Sequence, residues 1–200
     1  MALRVKTTWF KQIGGPRDMA QQASVIASMI WRLADLTIAN VSRADFDILT
    51  PERGYTLLGE LSVFMLHLAD RMVYRHVDES GRQALVQHTA IRLAEILQEN
   101  IDETLPGNQH DYKPDFIDLV NRRTDEYASY DFPPEEPDFS VLRCLANHIR
   151  DRMEGHDKPW IIDQIMEIEA PHFIETLART VRGLFPASDL PPAGNAPATP

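Results

Sequence analysis

LLGELSVFMLHLADRMVY, residues 57–74, is the most apolar stretch of the chain. On a helical wheel Leu58, Leu61, Met65, Leu68, Ala69 and Met72 fill one broad face. The opposite stripe holds Glu60, Phe64, His67, Arg71 and Tyr74, with Val63 and Asp70 beside it. Helical spacing puts Glu60, His67, Arg71 and Tyr74 in one line. A solvent-facing stripe would not also carry Val63, Phe64 and Tyr74, so the segment is expected to be a central helix packed on both sides. Its polar groups are then partly buried and must find partners. Glu60, His67, Asp70 and Arg71 in the same run argue against a bilayer span.

Three readings of that polar line follow. A satisfied network would pair Arg71 with Glu60 or Asp70, let His67 hydrogen-bond nearby and take in Tyr74. A dimer interface would use the same mixture of Arg, aromatic and apolar residues. A metal or catalytic site would draw on Glu60 and His67.

The flanks of this helix carry clear punctuation. Thr50-Pro51-Glu52 supplies a capping hydroxyl, a proline at the first helical position and an early carboxylate. The helix is expected to run to about Val77. Upstream, Asp18 and Gln21 resemble a capping pair before a helix with Val25, Ile26, Met29, Ile30, Leu33, Leu36 and Thr37 on one face. Downstream, Ser80 and Gln83 read as a capping box for a third helix carrying Leu85, Leu93, Leu97 and Ile101, stopped by Pro106-Gly107. A fourth helix starts at Pro114 and uses Phe116, Val120 and Tyr127. Residues 132–137 (FPPEEP) form an extended connector. A fifth helix carries Phe139, Leu142, Leu145, Ala146, Ile149 and Met153, and a sixth runs from Trp160 to Leu184.

The expected fold is therefore all-α, a helical bundle or orthogonal array of about six helices. Residues 1–17 form a short basic arm with Arg4, Lys6, Lys11 and Arg17, and Val5–Phe10 suits an extended strand. Residues 18–185 are expected to be a single helical domain. Residues 186–200, rich in Pro and Ala, are expected to be disordered. No fixed internal period emerges.

The sixth helix places Glu169 in the middle of its apolar face, among Ile162, Ile165, Met166, Phe173, Leu177 and Leu184, with His172 at the edge. A buried ionised carboxylate needs a partner. The Glu-x-x-His spacing of Glu169 and His172 is that of carboxylate-bridged metal bundles. With 30 acidic residues and 7 His in 200 positions, about one such match arises by chance, so only its position on the apolar face gives it weight. The candidate metal set is Glu60, His67, Glu169 and His172, for a divalent ion such as iron, zinc or manganese. The competing reading pairs Glu169 with Arg71 or another basic group. Pro171 inside this helix predicts a bend.

Composition bounds the rest. Thirty acidic against 20 basic residues give a net charge of −10, unsuited to a phosphate backbone. The 44% hydrophobic content is that of a globular chain. The single Cys144 excludes a disulfide framework within the chain and a multi-Cys metal site, and it lies in a helix without an activating motif. His110-Asp111 and His156-Asp157 fall in loops, where Asp157 reads as a helix cap. His88, Arg92, Glu95 and Glu99 read as a solvated, charge-paired face. No phosphate loop, dinucleotide fingerprint or nucleophile elbow is present.

The sequence thus leads to a soluble, cytoplasmic, non-enzymatic interaction or structural protein that self-associates as a dimer, without nucleic-acid or membrane partners. The alternative is a metal-binding bundle with oxidoreductase activity. A weaker one is a small-molecule sensor with an apolar pocket between helices.

Overall fold

The structure is a computed structural model that describes residues 18–48, 50–74, 76–130, 133 and 137–185. The expected arm 1–17, the tail 186–200 and most of the 132–137 connector lie outside the described residues. Those described form an all-α fold: α1 (Met19–Arg43), α2 (Pro51–Val73), α3 (Glu79–Thr104), α4 (Lys113–Tyr127), α5 (Phe139–Arg152), α6 (Lys158–Asp163), a π-helical turn (Gln164–Glu169) and α7 (Ala170–Leu184).

The helix starts follow local chemistry. Asp18 caps α1 by accepting from the Ala20 N–H, and Thr50 caps α2 by accepting from the Arg53 N–H at 3.2 Å. At α3 the cap is Asp78, two residues before the expected Ser80. Its Oδ1 accepts from the Gly81 N–H at 2.8 Å, so the helix begins at Glu79. α2 ends at Val73, short of Val77.

α2 is the axis of the molecule. Every residue from Leu57 to Ala69 is buried, the polar ones included, and α1, α3, α4, α5 and α7 all pack against it. Both faces of the wheel are enclosed because two sets of helices need somewhere to bury an apolar stripe. Phe64, on the nominally polar side, meets Tyr127 of α4 at 5.6 Å and Phe173 of α7 at 6.0 Å, both edge-on. α1 is long and apolar enough to cross a membrane by length and composition; its apolar face here packs on α2, α3 and α7.

The sixth predicted helix is not a bent α-helix. Pro171 has no N–H for the turn before it, and its ring crowds that turn. The chain widens to a π turn over Gln164–Glu169, and Pro171 falls in the first turn of α7. The expected charge-paired face of α3 is present. Arg92 reaches Glu95 at 2.7 Å and Glu99 at 3.2 Å, with His88 exposed beside them.

Candidate functional site

A carboxylate on a helix enclosed from all sides needs a partner for its oxygens. Glu60 is 1% exposed, and Arg123 of α4 meets it with both arms of its guanidinium. Nε donates to Oε2 at 2.8 Å and Nη2 to Oε1 at 2.7 Å. The hydrogen bond to Glu60 leads the effects that raise the Arg123 pKa, against the opposing pull of burial. Its third group, Nη1, donates to Glu126 Oε2 at 2.8 Å, one turn further along α4.

Glu126 stands in the last turn of α4, where the helix dipole disfavours an anion by about 0.3–1 kcal/mol. Two side chains of α5 answer it together with Arg123. His148 Nε2 lies 3.0 and 3.1 Å from its two oxygens, and the Cys144 thiol donates to Oε1 at 3.2 Å. Cys144 and His148 are four residues apart, hence on one face of α5, with Sγ 3.4 Å from Nε2. Burial opposes ionisation of Glu126, yet the Cys144 hydrogen bond and the charges of His148 and Arg123 outweigh it, so its carboxyl titrates below the usual range. Cys144 responds the other way. Burial first, then the neighbouring carboxylate, push its thiol up to about 11. Tyr130 also interacts with this sulfur, and its phenol is raised by that contact.

This cluster is not arranged for nucleophilic catalysis. The thiol is protonated at neutral pH. A nucleophile–base–acid relay uses the two imidazole nitrogens in series, whereas here Nε2 faces both thiol and carboxylate. The geometry does suit a cation. One sulfur, one nitrogen and one oxygen donor converge within 4.8 Å of one another, at a cleft of about 360 Å³ that also includes Tyr130, Arg143 and Asn147. Asn147 Oδ1 is buried without a hydrogen-bond partner.

The metal set expected from the sequence does not assemble. No three of Glu60, His67, Glu169 and His172 bring donor atoms within 4.8 Å of one another. Glu60 is taken by Arg123. Glu169, 2% exposed, turns instead toward α1, accepting from Asn40 Nδ2 at 3.1 Å and from Gln164 Nε2 at 3.0 Å, so amides rather than Arg71 answer it. His172 is exposed on α7. His67 is buried beside Thr124, Nε2 to Oγ1 3.3 Å, and against the Tyr127 ring. Burial, then the charge of Arg71, lower its pKa to about 4, so it stays neutral.

The expected buried network of Asp70, Arg71 and Tyr74 is likewise corrected. Asp70 pairs with Arg82 of α3 at 2.8 and 2.9 Å rather than with Arg71. Tyr74 is 61% exposed because α2 leaves the core where it ends, and the Arg82 guanidinium lies over its ring at 5.6 Å. Asp157 is not a side-chain cap. It is buried before α6 in helical backbone geometry, accepts from the Asp47 N–H at 2.8 Å, and faces His156 at 3.4 Å. Asp47, His156 and Asp157 form a second three-donor group, with His156 exposed.

Of Glu126, Cys144 and His148 the sequence draws attention to Cys144 alone, as a lone thiol in a helix without an activating motif. The four-residue spacing of Cys144 and His148 was legible as a shared helix face. Nothing in the sequence marks Glu126, which reaches them only because α4 ends beside α5. Comparison of the chain with protein-family models, with curated proteins and with solved structures returned no match.

Proposed function

We propose that the chain is a non-catalytic helical binding protein that holds one borderline-soft divalent cation, zinc by its chemistry, on Glu126, Cys144 and His148. The carrying observation is the convergence of those three donor atoms from two helices at an open cleft. A thiolate, an imidazole and a carboxylate make an ordinary zinc set, with water from the cleft as the fourth ligand. The thiolate selects against manganese and magnesium. Binding exchanges the thiol proton for the metal, and the imidazole proton moves to Nδ1, which frees Nε2. Arg123 does not repel the ion strongly, because its charge is already met by the bidentate contact to Glu60. The oxidoreductase reading rested on the Glu60, His67, Glu169 and His172 set, which does not converge.

Cobalt titration of the full chain, reduced with a non-thiol reductant, tests this. One equivalent of Co²⁺ should produce a thiolate-to-cobalt charge-transfer band that Zn²⁺ abolishes. Cys144→Ser and His148→Ala should lose the band while keeping the far-UV circular dichroism of the parent. A parent protein without that band at stoichiometric cobalt overturns the proposal.

Self-association is a second reading, favoured by large apolar side chains on the outside. Trp160 is 68% exposed and Ile168 59% exposed, about two turns apart along α6 and the π turn, and Phe139 at the start of α5 is 61% exposed. Exposed aromatics of this size are what a symmetric interface covers.

A further inference from the structure

The segment between α1 and α2 meets the segment between α5 and α6, and there Asp47, His156 and Asp157 bring three donor atoms within 4.8 Å of one another. Asp157 is fixed from several sides. Its N–H donates to the Glu154 carbonyl at 3.1 Å, and its own carbonyl accepts from the N–H groups of Trp160 at 3.0 Å and Ile161 at 3.1 Å. Its Oδ2 accepts from the Asp47 N–H at 2.8 Å, a contact that ties together two segments 110 positions apart.

The second oxygen of Asp157, Oδ1, receives no hydrogen bond among the described residues, although this side chain is only 6% exposed. It faces His156 Nε2 at 3.4 Å, and the same nitrogen lies 3.3 Å from Asp47 Oδ2; neither contact has hydrogen-bond geometry. No Lys or Arg pairs with either carboxylate among the described residues. A buried carboxylate oxygen ordinarily has a donor, and two carboxylates held this close call for a cation. The spacing says which kind. Ligand atoms on a tetrahedral ion with bonds of about 2.0–2.1 Å stand about 3.3–3.4 Å apart. The separations of Nε2 from the two carboxylate oxygens, 3.3 and 3.4 Å, have that length.

We propose that Asp47, His156 and Asp157 form a site for a divalent first-row cation, with water completing the coordination. Imidazole suits zinc and carboxylate suits manganese, and without a thiolate the set does not select against the harder ion. A bound ion would clamp the α1–α2 connection to the α5–α6 connection. The site shares no residue with the Glu126, Cys144 and His148 cluster, and each stands or falls separately.

Paramagnetic broadening of amide resonances by Mn²⁺, titrated into the full chain, tests this. One equivalent should broaden Asp47, Gly155 and His156 ahead of other exposed acidic segments, and Zn²⁺ should reverse the effect. Asp157→Asn keeps an acceptor for the Asp47 N–H and removes one charge; His156→Ala removes an exposed side chain. Each should weaken Mn²⁺ at least tenfold. Cys144→Ser should respond as the parent does. Broadening spread evenly over the acidic surface, or a His156→Ala variant that binds Mn²⁺ as well as the parent, overturns the site. Loss of the response in Cys144→Ser assigns the ion to the thiol cluster and overturns it equally. The His156 variant keeps the test decisive should Asp157→Asn fail to fold.

Discussion

Arg123 stands between two carboxylates in different surroundings. Glu60 is enclosed and is held by the guanidinium; Glu126 is half-buried and has Cys144 and His148 as well. Removing one member of a buried pair costs more than the pair itself contributes, because the other charge is left without an answer. Arg123→Met should therefore destabilise the fold by about 3–5 kcal/mol, read from urea denaturation. Glu60→Leu combined with Arg123→Met should recover most of that loss, since an apolar pair of similar volume replaces the ions at little net cost. A single Arg123→Met variant as stable as the parent would mean that water reaches Glu60. The same residue explains why Glu60 could be flagged from sequence and its role could not: the carboxylate's place on an apolar helix was visible, its partner 63 positions away was not.

Among the elements, α2 and α4 meet along a line where His67 is held neutral. Thr124, the Tyr127 ring and the charge of Arg71 surround it, and the Thr124 hydroxyl donates to the Val120 carbonyl at 2.8 Å. In the unfolded chain His67 takes up a proton near pH 6.5; in the fold it does so only near pH 4. Between those values the unfolded state binds more protons, so stability falls as pH falls through the window, by up to about 3 kcal/mol. Urea midpoints measured from pH 7 to pH 4 should decline accordingly, and His67→Gln should flatten that decline. A slope unchanged in His67→Gln would assign the effect to other groups. The π turn shows the same interplay of local and distant demands. Pro171 makes a regular helix costly at that point, and the turn that relieves it carries Glu169, which Gln164 within the turn and Asn40 on α1 then fasten.

For the molecule as a whole, the exposed Trp160, Ile168 and Phe139 set the question of assembly. Light scattering coupled to size exclusion should give a dimer mass at high micromolar concentration, and Trp160→Glu should shift it toward monomer; a parent that stays monomeric sinks the reading. At this scale the reach of the sequence is also clearest. The all-α class, the caps at Asp18 and Thr50, the enclosure of α2 on both faces, and the buried Phe116, Val120 and Tyr127 of α4 were all legible, because periodicity and capping act over a few residues along the chain. Which groups meet was not. Arg123 rather than Arg71 reaches Glu60, Asn40 reaches Glu169, and Glu126 closes the cluster with Cys144 and His148, since each pairing depends on how separate helices pack against one another. Hydrophobic stripes say that a face must be covered; they are non-directional, and leave open which helix covers it and so which polar side chains it brings within bonding distance.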